Sequence, residues 1–202
     1  MYNKVKTEEE IAAIRESGRI LGTVLNEIVS TVKPGMTGLD IDARARAILE
    51  ENNATPAFLG YQGFPASICI SVNDAVVHGI PNDIPFKDGD IVGFDFGVLY
   101  EGMITDAART VIIGDDTPEK HVNLLQRTQR ALDEGIQAIK SGVKVGDVSF
   151  AVENYITQFG YGNVRDLVGH GVGHAVHEGP EIPNYGIAGQ GPELKSGMTV
   201  AI

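Results

Sequence analysis

Residues 91–113 constrain the fold more than any other part of the chain. The run Ile91-Val92-Gly93-Phe94-Asp95-Phe96-Gly97-Val98 alternates with period two, the pattern of a strand with one buried face. Val92, Phe94, Phe96 and Val98 share one face, and Ile91, Gly93, Asp95 and Gly97 the other. Glu101-Gly102 supplies a turn and Met103 to Ile113 a return strand. A turn spanning 99–102 sets Asp95 opposite Asp106. A tighter turn at 101–102 sets Asp106 opposite Gly97 and diagonal to Asp95. Either loop is even, so without a bulge both carboxylates share a face, roughly 5 to 8 Å apart. The glycines on either side of Asp95 are expected to leave open space beside it.

Two like charges that close are unfavourable unless one is protonated or a cation lies between them. A plainer interpretation makes one Asp a turn or cap residue and the other solvated. That suits an exposed strand better than a glycine-flanked pair backed by a Val/Phe face. A divalent ion resolves the conflict, and carboxylates with an imidazole suit Mn, Fe, Co or Zn.

Imidazoles come from two further segments: Val76-Val77-His78-Gly79-Ile80-Pro81-Asn82, and the stretch from Gly169 to Pro180 that carries His170, His174 and His177. The spacing of His170 and His174 superficially suits a zinc-binding helix. Gly169, Gly171 and Gly173 argue against a helix, and no Glu directly follows His170. An extended, glycine-rich strand or loop fits better, with backbone close to a ligand. His170 is then a candidate metal ligand and His177 a donor to substrate. His174 is left at the surface or behind the ligands.

The V-V-H-G-I-P-N segment, the Asp95/Asp106 spacing and G-H-G-V-G-x-x-x-H-E-x-P together resemble the type I methionine aminopeptidases, of the creatinase or pita-bread fold. The similarity runs over essentially the whole chain. It implies an α+β fold with two pseudo-symmetric α/β halves around a central antiparallel sheet, the second half incomplete. It further implies two divalent ions, with Asp95 chelating one, Asp106 bridging both and His170 completing one shell. His78 and His177 would donate hydrogen bonds to the scissile amide and the tetrahedral intermediate. Phe58, Tyr61, Phe64, Cys69 and Val176 would line the methionine pocket, Phe64 and Phe58 standing where relatives can carry Tyr and Cys. The implied partners are peptides and nascent chains with N-terminal methionine. A monomer is expected and ribosome docking is left open.

The chain departs from the family pattern at its end. Leu194 to Ile202 matches L-K-x-G-M-T-x-x-I, and the sequence stops before the Glu-Pro that would supply another ligand and the general base. A two-metal hydrolase uses its ions to generate hydroxide and stabilise the oxyanion, so metal affinity and turnover of these residues alone are expected to suffer. The expectation is an N-terminal fragment of roughly four-fifths of a parent enzyme. Two alternatives stand beside methionine removal: another creatinase-fold peptidase, such as a proline-specific one, and a non-catalytic binding module. The first usually carries an extra N-terminal domain, whereas this chain starts at a helix of the catalytic type. The second tends to lose metal ligands, and these remain.

The helical segments suggest a degenerate duplication into halves of roughly 1–114 and 115–202. Thr7-Glu8-Glu9-Glu10 reads as a capping box, followed at helical spacing by Ile11, Ile14, Leu21, Leu25, Ile28 and Val32 and stopped at Lys33-Pro34-Gly35. Thr117-Pro118 starts the corresponding helix. Its stripe is Val122, Leu125, Leu132, Ile136 and Ile139, with a stop at Lys140-Ser141-Gly142. Second helices start near Thr37 and Asp147. Both stripes are expected to be core, with the site between the halves. A formal charge of −11 argues against nucleic-acid binding as the main activity. One cysteine excludes an internal disulfide and fits a reducing, cytoplasmic setting. No signal peptide is expected, Glu8-Glu9-Glu10 being the opposite of a basic n-region, and no apolar run is long enough to span a membrane.

Overall fold

The computed structural model describes residues 5–140 and 142–202 and resolves two compact units. One is Ala12–Val122; the other joins the residues up to Ile11 to Asn123–Ile202. Both mix helices with antiparallel strands.

α1 (Glu8–Thr31), most of which lies in the first unit, begins with the expected box. The Thr7 N–H donates to the Glu10 carboxylate at 2.8 Å, and the Glu10 N–H to Thr7 Oγ1 at 3.2 Å. Its buried stripe is wider than the sequence pattern, adding Ile20 and Val24 to Leu21, Leu25 and Ile28. α2 (Gly38–Glu51) is capped by Thr37, whose side chain accepts from the Asp40 N–H while the Asp40 carboxylate accepts from the Thr37 N–H. The sheet has four strands: β1 (Thr55–Pro56), β2 (Ile68–Val72), β3 (Ile91–Tyr100) and β4 (Met103–Ile112). β3 pairs with β4 along its whole length, and with β2 and then β1 along its other edge. Val92, Phe94, Phe96 and Val98 are fully buried as the alternation requires, packed with Ile28, Ile41 and Ile48 of the helices. Each such side chain contributes roughly 1.5–3 kcal/mol of burial.

The second unit contains most of α3 (Glu119–Gln137), α4 (Val145–Ile156) and a three-stranded sheet ordered β6-β5-β7. These strands are β5 (Val168–Gly171), β6 (Glu178–Pro183) and β7 (Val200–Ala201). Glycine is required in β5 by close approach: a Cβ on Gly169 would lie 2.5 Å from the Ala201 carbonyl oxygen, and one on Gly171 2.2 Å from that of Gly179. The expected α3 stripe is corrected here. Ile136 is 51 % exposed and Ile139 also lies outward, while Ala131 and Gly135 are buried. A Cβ on Gly135 would stand 2.8 Å from Val152 of α4, so the two helices meet through small residues. Ser141, within the expected Lys140-Ser141-Gly142 stop, lies outside the described residues.

An internal repeat is written in matching hydrogen bonds. The Thr37 N–H donates to Asp40 and the Lys144 N–H to Asp147. Leu39 N–H reaches Asn82 O, and Gly146 N–H reaches Gln190 O. Thr37 bridges to Pro85 and Lys144 to Glu193. The repeat thus extends beyond the helix starts to 85–92 and 193–200. Gly89 and Gly197 hold the same left-handed turn there, with φ of 85° and 87°. Among the described residues no helix is long and apolar enough to cross a membrane.

Candidate functional site

The hairpin register decides between the two turns. Leu99 pairs with Ile104 and Tyr100 with Met103, leaving Glu101-Gly102 as the loop. Both have positive φ, 47° and 77°, as the tight hairpin turn that matches strand twist demands. Asp106 therefore faces Gly97, and Asp95 faces Ala108. The carboxyls share a face on a diagonal, and a hydrogen bond joins their side chains. Burial raises the Asp106 pKa to about 6, with the bond from Asp95 pulling partly against it. Two carboxylates this close repel unless one is protonated or a cation lies between them.

The space beside Asp95 is not open as expected. The Phe58 ring fills the position next to Gly97, with Cε1 2.5 Å from where a Cβ would stand. Phe58 is buried, and Tyr61 and Phe64 are half-buried in the turn that follows. Cys69 of β2 lies directly opposite Asp95. Burial and the charges of Asp95 and Asp106 push its thiol up to about 12. Cys69 and Phe58 thus stand beside the carboxylate face.

His78 is not on a strand. It is exposed, in the loop after β2, with a left-handed φ of 58°. Its neighbour Gly79 is locked to β2: the Ile70 N–H donates to Gly79 O at 2.8 Å, and the Gly79 N–H to Ser71 Oγ at 3.2 Å. Elsewhere in this unit a cavity of about 190 Å³ lies under the loop Ile80–Lys87, and none of the expected site residues lines it.

In the second unit, His170 sits on β5 and its ring packs edge-on against His177, the centroids 4.3 Å apart. His170 Nδ1 lies 2.9 Å from the Gly171 carbonyl oxygen. A carbonyl only accepts, so Nδ1 carries the proton and Nε2 the lone pair, the tautomer of an imidazole that ligates through Nε2. Val176 is buried just before His177. His174 is not isolated at the surface: its Nε2 is 2.6 Å from Glu10 and its N–H donates to Glu178. Glu178 is also paired with Lys6. Nothing in the sequence pattern marked Lys6, and Glu178 stood out only as the Glu of the H-E-x-P motif.

The family model for metallopeptidase family M24 matches residues 12–202. The chain belongs to the M24 metallopeptidases. A methionine aminopeptidase of Clostridium acetobutylicum is 43 % identical over 199 residues, spanning 98 % of this chain and 79 % of that relative. The crystal structure of methionine aminopeptidase from Thermotoga maritima superposes with a TM-score of 0.95 at 40 % identity, covering 98 % of this chain and 80 % of that one. The prolidase of Pyrococcus furiosus gives a TM-score of 0.85 at 26 % identity, covering 97 % of this chain and 56 % of that one. The fold is the pita-bread fold of these M24 proteins.

Membership implies divalent metal. Among the described residues no three His, Cys, Asp or Glu side chains close into a metal-binding group. Donor chemistry fits within each unit taken by itself: the Asp95 and Asp106 carboxyls share one strand face in the first, and the His170 imidazole is held through Nδ1 in the second, donor types that suit a borderline divalent ion.

Proposed function

We propose that this M24 metallopeptidase removes N-terminal methionine from peptides and nascent proteins whose second residue is small. The carrying observation is the diagonal Asp95–Asp106 pair on one strand face, with Asp106 desolvated, in a chain 43 % identical to a methionine aminopeptidase. Asp95, Asp106 and His170 are assigned as metal ligands, with two ions drawn from Co, Mn, Fe or Zn. Bound metal would supply a water of lowered pKa and polarise the scissile carbonyl.

The remaining roles belong to side chains. His78 and His177 donate hydrogen bonds to the substrate amide and to the tetrahedral oxygen, where charge develops. Phe58, Cys69, Tyr61, Phe64 and Val176 form the apolar wall for the methionine side chain; a thiol held protonated suits that place. The protein is assigned to the cytoplasm and to a monomeric state.

The lower identity to prolidase, 26 % against 43 %, favours methionine over proline specificity. The test is metal-dependent hydrolysis by the protein supplied with divalent ions. Met-Ala peptides are expected to be cleaved far faster than Met-Leu peptides. Equal rates would point to a different aminopeptidase, and cleavage confined to Xaa-Pro would establish the proline-specific reading.

A further inference from the structure

One buried ion pair takes no part in the chemistry proposed above. Lys6 Nζ lies 2.7 Å from Glu178 Oε2, and the two residues are only 5 % and 7 % exposed. Lys6 precedes α1 and Glu178 opens β6, so the contact joins distant parts of the chain. The other carboxylate oxygen, Oε1, accepts the backbone N–H groups of His174 and Ala175 at 2.6 and 3.3 Å. Burial alone would raise the Glu178 pKa, but Lys6 and these N–H groups outweigh it and hold the carboxyl ionised. The far side of the His174 ring meets Glu10 at 2.6 Å. Lys6 is itself anchored, its N–H donating to Gly197 O at 2.9 Å. A side chain on Gly197 would meet Val5 at 2.8 Å.

A buried ion pair is a poor source of stability, because an apolar pair of similar size often does as well. An apolar pair cannot accept two amide N–H groups. Glu178 does so on the loop Val172–His177, which carries Val176 and His177. We propose that Glu178, oriented by Lys6, is a positioning residue that fixes this loop and thereby the His177 imidazole. The inference rests on the aminopeptidase reading for the part His177 plays in the reaction.

Two charge-neutral double variants of the full-length protein isolate the acceptor. Lys6→Met/Glu178→Gln keeps a carbonyl oxygen for the loop amides; Lys6→Met/Glu178→Met removes it while preserving an apolar fit. Hydrogen exchange should show the His174 and Ala175 amides protected in the Gln variant. In the Met variant they should exchange at least roughly tenfold faster, with the Phe94 and Phe96 amides unchanged. On a Met-Ala peptide kcat should fall about 10- to 100-fold in the Met variant, at little change in KM, and recover with Gln. In a His177→Ala background the two variants should have equal kcat. Equal loop exchange in the two variants, or a kcat difference that persists without His177, overturns the proposal. A wild-type protein inactive on Met-Ala peptides would instead overturn the functional reading, and the exchange comparison would still decide whether Glu178 holds the loop.

Discussion

The Phe58 ring occupies the place that a side chain at Gly97 would take. Its Cε1 and Cδ1 stand 2.5 and 2.9 Å from that position, and the Ala57 methyl 3.1 Å. Gly97 is also the residue across from Asp106. Gly97→Ala therefore has to push Phe58 off its seat. The expected cost is about 1–3 kcal/mol, as for other overpacked cores, read as a lower urea midpoint at unchanged slope. KM for Met-Ala peptides should rise with it, since Phe58 is assigned to the methionine wall. A wild-type midpoint would show that the ring turns aside freely.

That contact also shows what sequence patterning can and cannot carry. The hairpin was legible because its information is local: period two fixes the faces, and Glu101-Gly102 can take the two positive φ values of the tight turn. The Thr7 and Thr37 caps were legible for the same reason. A glycine in a strand, however, looks alike whether it opens a space or admits a ring from another segment, and only the fold brings Phe58 to Gly97. The α3 stripe failed through the same blindness. Periodicity marked Ile136 and Ile139, but helix approach is decided at Gly135, which has no hydrophobicity to register. Lys6 and Glu178 stand 172 residues apart, and only the fold pairs them. The repeat was visible in the paired helix starts and stops and hidden at 85–92 and 193–200, where Asp90 and Met198 differ while their backbones match. The three metal-ligand assignments came from the family resemblance as much as from spacing. The structure adds the diagonal of the carboxyl pair and the tautomer of His170.

Asp106 gives the metal-free protein a distinctive pH dependence. Its folded pKa is about 6 against an ordinary value of 3.8, raised chiefly by burial. Between those values the folded state binds more protons than the unfolded state, so this group lowers stability as pH rises from about 4 to 6. Above pH 6 the penalty is complete, on the order of 2–3 kcal/mol. The prediction is read as the difference in Tm between wild type and Asp106→Asn, both metal-free. Wild type should lose ground to the variant through that window and run parallel above it. A constant difference would mean that Asp106 is not desolvated. The same variant should abolish metal-dependent hydrolysis, and retained turnover would remove Asp106 from the ligand set.

Cys69 should resist thiol reagents in the native protein. Burial, with Asp95 and Asp106 nearby, holds its pKa at about 12 rather than 9.0. The thiolate fraction at neutral pH is then roughly a thousandfold below that of an ordinary cysteine. Alkylation followed by mass spectrometry should show almost no native labelling and full labelling in denaturant. Rapid native labelling would place the thiol in a more exposed and less acidic-flanked setting than the register with Asp95 allows.

His78 is presented by a backbone that leaves little freedom. Gly79 is pinned to β2 on both its polar groups, and a Cβ there would lie 2.1 Å from the Ile70 carbonyl oxygen. Gly79→Ala must lift the loop from the sheet edge and carry His78 with it, whereas His78→Ala deletes the imidazole and leaves the loop in place. If His78 donates to the substrate, both changes should lower kcat. His78→Ala should do so by roughly 100- to 1000-fold, the scale of a lost transition-state donor. Metal content, measured by atomic absorption after gel filtration, should stay at the wild-type level in His78→Ala. Loss of metal in that variant would make His78 a ligand instead. Full activity in Gly79→Ala would show that the pinned backbone does not set the position of the ring.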